Sequence, residues 1–185
     1  MNEELLVKEC LKQKPEAQRK LYDSFAPSML GVCYRYTKSL EDAENILQEG
    51  FVKVFKNLKQ YRKEGELGAW IRRIMVNTAL NYLKSNRRYR NHLVFEESHL
   101  HPVSSDNPEL NMHMEDLISL IRQLPHGYQT IFNLYAVEGY SHREIGVILG
   151  IKEGTSRSQY ARARALLIEW IEKLSLNETG EKHGK

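Results

Sequence analysis

Apolar residues along this chain recur at intervals of three and four and nowhere in strict alternation, a pattern that predicts helices and no strand. Leu5, Leu6, Glu9 and Leu11 outline a first amphipathic helix over residues 2–13. Pro15 stands where a first helical turn tolerates proline, and the helix from Glu16 carries Leu21, Tyr22 and Phe25. Pro27 opens the next helix, with Leu30, Val32, Cys33 and Tyr36 available for a core. Ser39 to Asp42 reads as the cap of a long helix reaching Leu58. Gly65 and Gly68 punctuate a loop; Ala69 to about Arg90 then reads as one helix, with Trp70, Ile71, Ile74, Thr78 and Tyr82 assigned to the core. Residues 91–111 break the pattern with Pro102, Pro108 and the run Ser104, Ser105, Asp106, Asn107. It resumes from Met112 through Leu117, Ile118, Ile121 and Leu124, stops at Pro125, and continues through Tyr128, Ile131, Phe132 and Tyr135. After Leu176 the residues are polar and expected to fray. The expected fold class is all-α: two small helical domains, 1–90 and 112–176, joined by a flexible connector at 91–111 and followed by a polar tail, 177–185.

The stretch from Tyr140 to Leu167 is the most specific. Ser141 followed by Glu144 is a capping box, in which each side chain satisfies an orphan amide at a helix start. Ile145, Ile148 and Leu149 make a short apolar stripe, and Gly150 stops the helix because glycine enters the left-handed turn without steric cost. A second helix begins near Thr155, with Ser156, Tyr160, Ala163 and Leu167 on its inner face. A short helix, a glycine-containing turn and a longer helix make a helix-turn-helix. At 100° per residue Ser158, Ala161, Arg162 and Ala165 fall opposite the inner face, with Arg157 and Arg164 on one flank. Arginine pairs bidentately with guanine in the major groove, and small neighbours permit close approach. The alternative is a solvated basic face on an ordinary helical hairpin.

Charge changes the picture through its distribution. Lys and Arg number 27 against 24 acids, a net charge of only +3. Yet no Lys or Arg occurs from Asn91 to Ile121, where Glu96, Glu97, Asp106, Glu109, Glu115 and Asp116 cluster, directly after the basic run Lys84, Arg87, Arg88, Arg90. Charge sorted into blocks indicates separate surfaces for separate partners. Fully extended, the connector reaches about 70 Å at ~3.3–3.6 Å per residue, or about two turns of B-DNA at ~34–36 Å each. Cys10 and Cys33 are the only cysteines, which argues against a disulfide framework and for a reducing, cytoplasmic setting. His92, His99 and His101 have no cysteine partner, so no metal or other cofactor is expected. Neither a signal peptide nor a membrane-length apolar run is visible. No paired carboxylates with a metal site, phosphate-cradling glycine loop or nucleophile–base arrangement stands out, so an enzyme is not expected.

Three ordered segments resemble a known family. The run from Leu124 to Leu167 resembles region 4, the promoter-reading region, of extracytoplasmic-function (ECF) sigma factors of the sigma-70 family. The run from Ser39 to Leu58 resembles their region 2.2, and Gly68 to Arg88 their regions 2.3 to 2.4. Gln159 stands where the family usually has arginine, Ser156 where it has valine, Gly146 where it has alanine, Lys152 at a usual capping serine and Gly50 at a common threonine.

The resemblance implies that domain 1–90 docks on core RNA polymerase and opens the −10 element, while domain 112–176 reads the −35 element. Asp42, Glu44, Gln48, Glu49 and Phe51 would dock on the β′ clamp coiled coil, an acidic face with an aromatic beside it suiting a basic helix. Asn77 and Asn81 would read base edges of the −10 element, with Arg72, Arg73, Lys84, Arg87 and Arg88 on phosphates. The loop Tyr61, Arg62, Lys63, Glu64 and Gly65 would accept a base flipped from the non-template strand. At −35, Arg157, Ser158, Ala161 and Arg162 would enter the major groove, with Arg143 and Arg164 on phosphates or in local ion pairs. The acidic connector would thread polymerase channels, and the β flap would hold the C-terminal domain. An anti-sigma factor, in the family often membrane-bound, is the further implied partner, with no small-molecule substrate and a monomer when free. A stand-alone helix-turn-helix regulator remains the alternative, with residues 1–90 as a sensor or dimerisation domain.

Overall fold

The computed structural model describes residues 3–85 and 114–181, and the regular structure among them is entirely helical. Arg87, Arg88, His92, His99, His101 and the acidic connector lie outside the described residues. The chain divides into two compact units, Met1–Arg87 and Arg88–Lys185.

The first unit holds α1 (Glu3–Leu11), α2 (Pro15–Tyr34), α3 (Leu40–Asn57), a single 3-10 turn (Leu58–Gln60) and α4 (Leu67–Ser85). Pro15 occupies the first turn of α2, and the Ser39 hydroxyl caps α3 by accepting from the Asp42 amide at 3.1 Å. Helices α2, α3 and α4 pack on one another, and α1 lies against α2 and the 3-10 turn. Leu21, Ile46, Val54, Ile71 and Met75 are inaccessible at the centre; burying each such side chain contributes about 1.5–3 kcal/mol. Two polar contacts fasten α3 to α4. Tyr82 Oη donates to Asp42 Oδ1, and Lys53 Nζ donates to Thr78 Oγ1 at 3.3 Å. Both cysteines are free and buried, and burial pushes the Cys33 thiol up to about 12.

Three expectations need correction here. The inner face of α1 is Leu6, Val7 and Cys10, whereas Leu5 and Leu11 are exposed. Glu9 is tied by Lys12 and Lys14 around the helix end, which turns its side of the helix to water. Pro27 opens no helix, because α2 runs through it. The backbone bond it removes would have used the carbonyl of Asp23; both residues lie on the exposed face, where water replaces the lost donor. Finally, α4 starts at Leu67, so Gly68 belongs to its first turn and not to the loop.

The second unit holds α5 (Met114–Gln123), α6 (His126–Phe132), a π turn (Asn133–Val137), α7 (His142–Leu149) and α8 (Glu153–Glu181). Helix α8 lays Ala163, Leu167 and Trp170 against Leu120 and Ile121 of α5 and Leu124 just beyond it, and Ile145 of α7 is fully buried. The expected single helix through Tyr135 instead widens after Phe132 into the π turn, which buries Asn133 and Leu134 and leaves Tyr135 part-exposed. Helix α8 continues past Asn177 to Glu181, into the stretch expected to fray, since extending an established helix is easy compared with starting one.

The capping box of α7 is present in both directions. Ser141 Oγ accepts from the Glu144 amide at 3.3 Å, and Glu144 Oε2 accepts from the Ser141 amide at 2.8 Å. Gly150 ends α7 in the left-handed region at φ 70°. Gly146 serves a different purpose: the Ile151 amide donates to its carbonyl at 3.0 Å, and a Cβ there would lie 2.8 Å from the Ile151 carbonyl oxygen. Alanine would gain ~0.8–1 kcal/mol of helix propensity, but overpacking against backbone costs ~1–3 kcal/mol. Gly146→Ala is therefore expected to lower the stability of the second unit by up to ~2 kcal/mol, read as a lower urea midpoint at unchanged m-value.

Candidate nucleic-acid and protein interfaces

On α8 the buried side chains are Ser156, Gln159, Ala163, Leu167 and Trp170, with Tyr160 half-buried. Arg157, Ser158, Ala161, Arg162, Arg164 and Ala165 are all exposed on the opposite side. The structure thus brings together the −35 residues expected on this helix, and Arg143 is exposed at the start of α7. Two departures from the family pattern are used in the core. Ser156 Oγ lies 3.0 Å from His142 Nδ1, and Gln159 is buried beside Gly127. Its Oε1 has no hydrogen-bond partner among the described residues.

His142 therefore ties the two helices of the motif, a role the sequence reading missed because its partners come from two other elements. Its ring stacks on Tyr135 of the π turn, with centroids 4.1 Å apart and planes at 7°, and lies 5.7 Å from Tyr160 of α8. Desolvation, then the Arg157 charge, holds its pKa below the ordinary value, opposed by Glu153.

The face of α4 is organised by spacing. Arg73, Asn77, Asn81 and Lys84 are exposed at steps of four, four and three, which places them in one stripe. Arg72 is half-buried, about 100° around the helix from Arg73, so the structure separates it from the group it was expected to join. Ile71 and Thr78 are core as expected, but Trp70 is half-exposed at the head of the stripe, its ring 5.6 Å from that of Tyr61 with the planes tilted at 47°. The Tyr61 hydroxyl donates to the Gly65 carbonyl at 2.6 Å and closes the loop on itself. Lys63 sits at φ 60°, uncommon for a residue with a Cβ, and its ammonium donates to Glu4 of α1 at 2.5 Å. That contact first, and Lys8 second, holds the Glu4 carboxyl below its usual range. Arg62, Glu64 and Gly65 are exposed.

The docking set on α3 divides. Phe51 is 3% exposed and packs against Tyr22 with ring centroids 4.6 Å apart, so it is a core residue and no contact for a partner. Asp42 is engaged by Tyr82, and Glu49 pairs with Lys53 at 2.6 Å. Glu44 and Gln48 remain outward, and with Tyr22, Asp23, Ala26, Pro27, Leu30 and Leu47 they line a groove of about 660 Å³ between α2 and α3. Val52, one turn beyond Gln48, is 50% exposed and continues the outward face of Glu44 and Gln48. Its i+4 and i+8 spacing from Gln48 and Glu44 was the available signal. Among the described residues no cluster of His, Cys, Asp or Glu is arranged to hold a metal, and no helix is long and apolar enough to cross a membrane.

Residues 21–89 match the family model of Sigma-70 region 2, and residues 114–167 match that of Sigma-70, region 4. The chain is 32% identical over 154 residues to the ECF RNA polymerase sigma factor SigE of Mycolicibacterium smegmatis, a match covering 81% of this chain and 59% of that one. It is 29% identical over 185 residues to the ECF RNA polymerase sigma-E factor of Haemophilus influenzae, covering 94% and 97%. Among solved structures, the sigma factor RpoE in complex with the anti-sigma factor NepR from Bartonella quintana is similar in fold at a TM-score of 0.51 and 21% identity, covering 83% of this chain and 96% of that one. The chain belongs to the sigma-70 family as an extracytoplasmic-function sigma factor, a DNA-binding factor of transcription initiation.

The displaced titration of His142 has a measurable consequence. A base whose folded pKa is depressed binds fewer protons folded than unfolded, so stability is complete above the ordinary value of 6.5 and is lost as pH falls below it. Between about pH 7 and about pH 5.5 the melting temperature of the wild type should fall more steeply than that of His142→Asn. Parallel curves would show that the ring does not titrate differently in the two states.

Proposed function

We propose that this sigma factor docks on core RNA polymerase through the α2–α3 groove, contacts the −10 element with α4 and the Tyr61–Gly65 loop, and reads the −35 element with α8. The observation that carries this reading is the outward face of α8. It offers arginines separated by Ser158 and two alanines, backed by an inner face fully committed to the core. Small side chains between arginines let a helix approach base edges, which a merely solvated basic face does not require.

The same logic orders α4. Asn77 and Asn81, one turn apart and exposed, suit base edges, while Arg73 and Lys84 in the same stripe suit phosphates. Arg72 is left out of the contact set. On the docking face Glu44 and Gln48 steer a basic helix, and Val52 with the apolar floor at Ala26, Leu30 and Leu47 supplies burial. An anti-sigma factor is the regulatory partner we infer, as for RpoE with NepR and for CnrH with the cytosolic domain of CnrY. The groove and the outer face of α8 are the surfaces such a partner gains most by covering.

Transcription with purified core polymerase on a genomic fragment library tests the whole reading and yields the promoter sequence. Failure to associate with core while binding DNA would favour the stand-alone regulator. On a cognate −35 duplex Arg162→Ala should weaken binding by about 5–150-fold, from ~1–3 kcal/mol per bidentate contact, and far less on a scrambled one. Equal loss on both would make Arg162 a phosphate contact. Making this face basic with Glu44→Lys and Gln48→Lys together should weaken association with core at least about tenfold, or ~1.4 kcal/mol, with an unchanged melting temperature.

A further inference from the structure

At the start of α8, one turn before Arg157, an exposed acid stands beside the arginines, and that acid is not idle. Arg157 donates to Glu153 Oε1 from both Nε, at 3.1 Å, and Nη2, at 2.5 Å. These two atoms form the side edge of the guanidinium. Of five N–H donors in that rigid fork, the contact takes two. The donors left over include the parallel pair on the terminal edge, the one that matches O6 and N7 of a guanine.

We propose that Glu153 is a specificity-determining residue: it holds the side edge of Arg157 so that the terminal edge meets a guanine in the −35 element. This rests on the reading that α8 enters the major groove. An unheld arginine on a DNA-facing helix is drawn to phosphates, which attract it regardless of sequence. The carboxylate neutralises that pull and limits where the guanidinium points. Both partners are exposed, at 66% and 43% of their side-chain surface, so in free solution the pair is weak. Once the groove excludes water the same contact strengthens. The order of the pair, acid four residues before base, also matches the helix dipole. Arg164, on the same flank of α8, has no ion-pair partner among the described residues and is left for the backbone.

The ordinary role of an acid in this place is to favour the start of its helix. The two roles separate in a base-preference experiment. Full-length protein assembled with core polymerase is presented with a duplex library randomised across the upstream element, and bound DNA is sequenced for wild type, Arg157→Ala, Glu153→Gln and the double variant. Arg157→Ala is expected to flatten preference at one base pair. Glu153→Gln should flatten the same base pair by at least about fivefold, while binding to unselected DNA stays equal or rises. The double variant should match Arg157→Ala alone, since two residues acting as one unit are not additive. A wild-type preference in Glu153→Gln, additive effects, or a change at a different base pair would each overturn the proposal. If Arg157→Ala itself alters no position, the underlying reading of α8 fails as well, and the two failures are thereby distinguished. Glu153→Asp keeps an acid at the helix start while shortening its reach, and serves if Gln loosens the helix; it should show the same flattening.

Discussion

The close approach at the turn between α7 and α8 governs the second unit. The Ile151 amide bonds to the Gly146 carbonyl, and the Ile151 carbonyl comes so near Gly146 that no side-chain carbon fits there. With the chain reversed this tightly, the angle between the helices is set by backbone, and His142 locks it from the side through Ser156 and Tyr135. That angle decides which residues of α8 are buried and therefore which are offered outward. Every contact assigned to the −35 element depends on it.

The first unit solves a related problem with side chains. In the proposed reading, helix α3 keeps one face for a partner while its other faces meet α2 and α4. Tyr82 on Asp42 and Lys53 on Thr78 fasten α3 to α4 near two levels of the helix, at residues that also sit beside the docking stripe. The acid first assigned to a partner is thus part of what orients the stripe, and the aromatic first assigned to it is a support beneath. What remains outward is short: Glu44, Gln48 and Val52, next to a groove floored by α2.

Local features were legible because their physics is local. The capping box at Ser141 and Glu144 and the left-handed Gly150 need only neighbours in the chain, and both stand where the spacing put them. The outer face of α8 was legible too, since a helix of known phase with small and basic residues on one side has few ways to fold. Pro27 misled because a proline tolerates a helix interior when the carbonyl it deprives faces water, and exposure is not written in the local sequence. Phe51 misled because aromatic residues serve cores and interfaces equally, and only the position of Tyr22 decides between them.

By itself the sequence determined the helical class, the two ends of α7, the sorting of charge into blocks along the chain, and which residues α8 turns outward. These follow from periodicity, capping chemistry and charge, which are properties of neighbours three or four residues apart. Tertiary structure alone decided that Asp42 is taken by Tyr82, that Phe51 turns to the interior, that His142 meets Ser156, and that Glu153 holds the side edge of Arg157. The reason is the same in each case but the last. A side chain's role there is set by what packs against it from another element, and that partner lies many residues away; for Glu153 the partner is one turn along, but only the folded helix shows which edge of Arg157 it takes.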